Sequence, residues 1–317
     1  MEYRAGVAWS TGVLWLRLAS VHAPAPLREG DLIAVVAPSS PFPREAFLAG
    51  LAWLSQRYRL RATSALFARA GFLAGDDDRR AAELASAMRD PLVRAIFCAR
   101  GGYGATRIVS KLPWEELQRS PKWIVGFSDV TALHACWASR GVPSVHGPNV
   151  TGLGASSWPF LVQARFSVMA ALEHPDRPCR WSGLTVVREG RAAGPLFGGN
   201  LALLCALAAA GQLAVPEGAI VLLEDVTERP YRIDRMLTSL LEGGHLAGAA
   251  GVVFGSFDQC DPGPDGVTAR EVAMERTRSL GVPVLWGAPF GHGDRNEAFI
   301  VGASAEIDAG TLTWQLR

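Results

Sequence analysis

Residues 122–141, KWIVGFSDVTALHACWASRG, change rhythm in the middle. The opening run, Trp123 to Val125, is apolar and short enough for a buried strand, whereas the run from Thr131 has helical spacing, with Ser128 at the join. A tight strand-to-helix junction either exposes a nucleophile or caps a helix, and this stretch alone leaves both open for Ser128 and Asp129. The same rhythm recurs upstream. DLIAVVAPSSP (31–41) is a buried-strand run ending in a Pro/Ser loop, REAFLAGLAWLSQRY (44–58) is helical, and VRAIFCARGGYGATRIVSKL (93–112) reads strand, glycine loop, helix. Such repetition predicts a mainly parallel sheet with helices on both faces, whose ligands sit beyond the carboxyl ends of the strands.

Beyond about Pro159 the pattern changes. Residues 156–195 read as one helix followed by short strands, a crossing region into a second unit. FGGNLALLCALAAAG (197–211) is a small-residue helix with Asn200 as N-cap and Gly211 as stop. The runs AIVLLEDV, AGVVFGSF, VPVLWGAPFG, EAFIVGASAEIDA and TLTWQL then predict a β-rich half with one or two helices. No fixed-period repeat or low-complexity tract is present.

The 317 residues exceed the ~250–300 at which a single core stops growing, so two units are expected. Lys and Arg (31) almost balance Asp and Glu (30), which gives no electrostatic preference for nucleic acid or an anionic membrane. The five cysteines lack CxxC spacing and leave an odd one, arguing against a disulfide framework or a zinc site and for a reducing cytoplasm. Residues 6–23, GVAWSTGVLWLRLASVHA, are moderately apolar and end like a weak export signal, but Arg17 interrupts them; the alternative is a poorly ordered extension before the first unit. Elsewhere nothing reaches the ~20 apolar residues of a membrane span.

Three further features carry chemistry. Gly126-Phe127-Ser128-Asp129-Val130 keeps only the first glycine of the G-x-S-x-G elbow. The loop ARGGYGA (99–105) lets backbone amides approach a ligand, as a phosphate cradle, an oxyanion hole or a plain turn, and matches neither Walker A nor G-x-G-x-x-G. Glu224 ends an apolar strand, and His292 lies between Gly291 and Gly293 in a loop; Asp294 is near, but no HExxH or second histidine cluster suggests a metal. Together a serine, a histidine and an acid are the parts of a serine hydrolase.

Seven blocks, EGDLIAVVAPSSP, RAIFCARGGYGATRIV, IVGFSDVTALH, VHGPN, FGGNLALL, LLEDVTERPYRIDRML and PFGHGDRNEAFIVGA, spread in order over residues 26–317, resemble the LD-carboxypeptidases. These serine peptidases remove the terminal D-alanine of murein tetrapeptide. The resemblance implies a triad of Ser128 as nucleophile, His292 as base and Glu224 as orienting acid, with oxyanion donors from the amides of Gly101, Gly102 and Asp129. It implies an α/β fold with a flavodoxin-like amino-terminal domain (26–160) after an extension (1–25). A crossing segment (161–195) then leads to a smaller swivelling β-rich β/β/α domain (196–317). It further implies a homodimer, a muropeptide substrate and peptidoglycan recycling in the cytoplasm, without cofactor or metal. The substrate's free carboxylate asks for a cationic or amide-rich anchor, with Arg100, Arg232 and Arg235 as candidates. Two other readings stand beside it: hydrolysis of peptidyl- or aminoacyl-nucleotides, as in microcin self-immunity, and a non-catalytic protein holding a sugar or nucleotide.

Overall fold

The computed structural model describes residues 22–317, so all but the last four residues of the expected 1–25 extension lie outside the described residues. The chain lays down β1 (Leu32–Val36), α1 (Arg44–Leu54), β2 (Arg59–Arg61), α2 (Asp77–Arg89), β3 (Val93–Cys98) and the short α3 (Ala105–Ile108). It continues through α4 (Trp114–Arg119), β4 (Trp123–Gly126), α5 (Thr131–Ala138) and β5 (Ser144–His146). These five strands are parallel, in the flavodoxin-like order β2-β1-β3-β4-β5. All of β4 is buried and Arg94 alone is exposed in β3, the near-continuous apolar pattern of parallel strands covered on both faces. Asp76 starts α2 by accepting the Arg79 amide at 2.7 Å, with Asp77 and Asp78 in the first turn and Arg89 in the last, each sign matched to the helix dipole.

This order reverses direction between β1 and β3. The loops leaving their carboxyl ends therefore part, opening a crevice at the switch point. The Pro/Ser loop follows β1, the glycine loop follows β3, and Ser128 follows the adjacent β4.

Helices α6 (Val150–Leu153) and α7 (Leu161–Glu173) lead on to β6 (Cys179–Trp181), β7 (Thr185–Arg188), β8 (Ala192–Asn200), α8 (Leu201–Ala209), β9 (Ile220–Val226) and α9 (Pro230–Glu242). Then come β10 (Gly251–Asp258), α10 (Ala269–Arg276), β11 (Val284–Trp286), β12 (Phe299–Val301), β13 (Ser304–Asp308) and β14 (Thr311–Gln315). Among the described residues a second sheet has the order β6-β14-β13-β8-β9-β10-β11-β7. Its middle, β8-β9-β10-β11, is parallel, and α8, α9 and α10 alternate with those strands. Beyond α8, which falls within the helix expected at 197–211, the sequence pattern suggested one or two helices; the structure has two, each bounded by a clear local signal, Pro230 at the first turn of α9 and a Thr268–Glu271 capping box on α10.

The sheets do not follow a single cut in the chain. β12 leaves the second half to pair antiparallel with β5, becoming the sixth strand of the first sheet. Immediately after it, the Gly302 amide donates to Leu196 O at 2.7 Å and the Leu196 amide donates to Ala303 O at 2.8 Å, fastening β8 of the second sheet to the turn beyond β12. The Asn200 amide, at the end of β8, donates to Thr131 Oγ1 on α5 at 3.0 Å. Both sheets thus present the carboxyl ends of parallel strands to one shared region.

Candidate active site

Ser128 opens a turn between β4 and α5 with φ of +65°. For a residue bearing a Cβ this left-handed conformation costs roughly 1–3 kcal/mol and persists only where the surroundings over-determine it. They do so here. The Phe127 amide donates to Asn149 Oδ1 at 3.3 Å, and the wholly buried His134 of α5 reaches back to the end of β4, 2.8 Å from Gly126 O through Nε2. Because a carbonyl only accepts, Nε2 carries the proton, and Nδ1 accepts the Ser144 hydroxyl at 2.8 Å. Burial pushes the His134 pKa down to about 4 against the opposing effect of the Gly126 bond, so the ring stays neutral. The capping alternative is not realised, since α5 begins after Val130 with no side-chain cap from Ser128 or Asp129.

Glu224 and Asp225 are neighbours near the end of β9 that share the Asn200 donor but otherwise have different partners. Glu224 is completely buried. Its Oε2 accepts His292 Nδ1–H at 2.7 Å and its Oε1 accepts Asn200 Nδ2–H at 3.3 Å. A carboxylate can only accept, so the imidazole proton sits on Nδ1 and the Nε2 lone pair faces Ser128, whose hydroxyl donates at 3.1 Å. Burial disfavours charge on His292, but the charge of Glu224 and its hydrogen bond outweigh it, and the pKa is raised above the ordinary histidine value. Asp225 instead accepts the Ala202 amide at 3.0 Å at the start of α8, together with Asn200 Nδ2–H at 3.0 Å. Burial and the neighbouring Glu224 charge lift its pKa to about 6. Glu228 pairs with Arg232 at 2.5 Å on the surface.

The loop between β11 and β12 is shaped to deliver the imidazole. Gly291 has φ of +112°, and a Cβ there would lie 2.5 Å from Ser256 Oγ and 2.8 Å from Glu224 Oε2, so a side chain is excluded twice over. The Gly293 amide donates to Ser256 Oγ at 3.0 Å and the Gly291 amide to Asn296 Oδ1 at 3.3 Å, while the Phe127 ring lies 4.8 Å from the His292 ring. Across the crevice, a Cβ on Gly101 would come within 2.8 Å of Ser128 Cβ and 3.1 Å of Ser128 Oγ; only glycine lets that loop lie against the serine.

Ser128, His292 and Glu224, separated by up to 164 positions, are therefore joined by one chain of hydrogen bonds, with Gly101 packed against the serine. This arrangement can draw the hydroxyl proton onto Nε2 while the carboxylate balances the imidazolium. The three candidate cations stand apart from that chain. Arg100 is exposed and donates to Pro41 O at 2.7 Å, Arg232 pairs with Glu228, and Arg235 lies over the Tyr231 ring at 5.7 Å. Among the described residues no cluster of side chains suited to a metal ion occurs. Sequence reasoning passed over Asn149, His134 and the Asn200 bond to Glu224. Asn200 was legible only as an N-cap, a task it also performs by accepting the Leu203 amide at 3.1 Å.

Comparison with known proteins bears on both sheets. The LD-carboxypeptidase N-terminal domain profile matches residues 33–147 and the C-terminal domain profile matches residues 193–307. The murein tetrapeptide carboxypeptidase of Pseudomonas aeruginosa is 34% identical, over 78% of this chain and 83% of its own. The crystal structure of muramoyltetrapeptide carboxypeptidase from Oxalobacter formigenes superposes with a TM-score of 0.80 at 27% identity, covering 90% of this chain and 98% of its own. The microcin C7 self-immunity protein MccF superposes with a TM-score of 0.85 at 20% identity, covering 92% and 98%, a likeness of fold alone.

Proposed function

The chain belongs to the LD-carboxypeptidase family, and from that premise we propose that it is a serine carboxypeptidase hydrolysing the L-D peptide bond to the terminal D-alanine of murein tetrapeptide. The observation that carries the reading is the relay from Ser128 Oγ to His292 Nε2 at 3.1 Å and from Nδ1 to Glu224 at 2.7 Å. In the acylation half-reaction Ser128 Oγ attacks the scissile carbonyl carbon as its proton passes to His292 Nε2. The carbonyl oxygen becomes an oxyanion held by the amides of Asp129, Gly101 and Gly102. The intermediate then collapses, the C–N bond breaks, and the Nε2 proton leaves on the amine of D-alanine. Water repeats the sequence on the acyl-enzyme and returns Ser128 to its starting state. Among the candidate carboxylate anchors, Arg100 adjoins Gly101 in sequence and so lies nearest the oxyanion loop along the chain.

The muropeptide reading is preferred to the nucleotide one because the Pseudomonas aeruginosa and Oxalobacter formigenes proteins, at 34% and 27% identity, bear murein-peptide names, whereas the MccF likeness is one of fold. A role in peptidoglycan recycling in a reducing cytoplasm accords with five unpaired cysteines, and a homodimer is the assembly to test by sedimentation equilibrium. The deciding assay incubates the protein, and Ser128→Ala, with murein tetrapeptide and separately with an aminoacyl-sulfamoyl nucleotide, followed by mass spectrometry. Loss of one D-alanine by the wild type, reduced roughly 10⁴–10⁶-fold in the variant, supports the proposal. Cleavage of the nucleotide alone, or no product from either, overturns it.

A further inference from the structure

Asp129 follows the nucleophile, yet its side chain turns away from the triad and is completely buried. Its Oδ2 accepts two hydrogen bonds, from the Ser39 hydroxyl at 2.6 Å and from the Ala105 amide at 2.7 Å, while Oδ1 has no aligned donor. Ser39 stands in the loop after β1, and Ala105 begins α3 directly after the glycine loop. One carboxylate oxygen therefore spans the two lips of the switch-point crevice. The lips are also tied to each other: the Ser40 amide donates to Gly101 O at 3.2 Å and the Tyr103 amide donates to Ser40 Oγ at 3.1 Å. Arg80, buried in α2, donates to Gly104 O at 2.8 Å and to Pro38 O.

Burying a carboxylate is costly, and burial raises the pKa of Asp129 against the opposing effects of the Ser39 and Ala105 bonds, the Gly104 amide and the Arg80 charge. A side chain needed only to start α5 would not reach across to two other loops. The geometry points to Asp129 as the positioning residue of the oxyanion pocket: its carboxylate holds loops 38–40 and 101–104 in register with its own backbone amide. The inference rests on Ser128 being the nucleophile. Its physical content is that donors aimed at a developing oxyanion act through preorganisation, and a small displacement of one loop forfeits much of their effect.

The test compares wild type with Asp129→Ala, Asp129→Asn, Ser39→Ala and Ser128→Ala. Measured are kcat and KM on murein tetrapeptide, the pH profile of kcat/KM, thermal unfolding, and affinity for a peptidyl boronic acid, whose tetrahedral adduct occupies the same pocket. For Asp129→Ala, kcat should fall about 10²–10³-fold with KM within about threefold, the scale of losing one oxyanion donor, and boronate affinity should fall in proportion. The acid limb of the pH profile should stay in place, because the His292–Glu224 pair is untouched. Asp129→Asn keeps an oxygen for Ser39 and Ala105 and should return to within about tenfold of wild type. A folded Asp129→Ala with near-normal kcat, or with lost kcat but undiminished boronate affinity, overturns the inference. If that variant does not fold, a folded Ser39→Ala with wild-type kcat and boronate affinity does so instead. Turnover by Ser128→Ala would overturn this inference together with the serine mechanism, whereas an inert Ser128→Ala beside a fast Asp129→Ala overturns this inference alone.

Discussion

Glu224→Gln is the sharpest perturbation of the proposed mechanism, because it changes one atom and leaves the volume alone. Asn200 decides how the new amide sits. Its Oδ1 is engaged by the Leu203 amide at 3.1 Å, so Nδ2 must face residue 224 as a donor. The glutamine oxygen will therefore turn toward Asn200, and its NH₂ group will face His292 Nδ1, which lies 2.7 Å from the carboxylate in the wild type. Nδ1 must then accept, the proton moves to Nε2, and the lone pair that should take the Ser128 proton is gone. A wrong tautomer of this kind lowers turnover about 10⁴-fold, or ~5.4 kcal/mol of transition-state stabilisation. The pH profile should shift as well. In the wild type the Glu224 carboxylate holds the His292 pKa above the ordinary value of 6.5, so kcat/KM rises with pH through a midpoint above that value. Without that charge and its hydrogen bond, burial is opposed only by the charges of Asp225 and Asp258, and the midpoint of the residual activity should move to lower pH than in the wild type. Steady-state kinetics across pH, with ¹⁵N chemical shifts of the imidazole to read the tautomer, checks both parts. Activity within tenfold of wild type, or an Nδ1–H tautomer persisting in a folded variant, would refute the reasoning.

Three other outcomes follow from the same geometry. Gly101→Ala brings a methyl group within 2.8 Å of Ser128 Cβ, so kcat/KM should fall at least about 10²-fold with an unchanged circular dichroism spectrum. Asn200→Ala removes the α8 cap and the donor shared by two buried carboxylates, and urea unfolding should register a loss of roughly 2–4 kcal/mol. His134 has a folded pKa of about 4 against the ordinary histidine value of 6.5, so its stabilisation is fully present above 6.5 and disappears as pH falls toward 4. That is worth about 3 kcal/mol, and urea midpoints at pH 7.5, 5.5 and 4 should show the slope, flattened in His134→Gln.

The first sheet was legible because its strands and helices alternate with clear periodicity, and because DLIAVV, VRAIFC and KWIVG are long or apolar enough to declare buried strands. Ser128 stood out at a strand-to-helix junction, Glu224 after an apolar strand run and His292 between two glycines in a loop. The helices beyond α8 were harder to place: α10 has only eight residues, too few for a helical period to stand out. Three-residue β12 carries no information on which sheet it joins, since an FIV run fits either core equally well. The roles of Asn200 and Asp129 were hidden for a different reason. Each side chain acts on residues 24 or more positions away, and local pattern reports only what a residue does for its own helix.

The placement of β12 also sets a timetable for synthesis. His146, which ends β5, is made 153 residues before its partner Phe299, and at ribosomal rates of ~5–20 residues per second that interval is roughly 8–30 s. Throughout it one margin of the nascent first sheet has backbone donors and acceptors with nothing to bind, which is the kind of surface that invites another chain. Slow codons downstream of β5 should therefore increase aggregation, and a chaperone able to shield a sheet margin should relieve it.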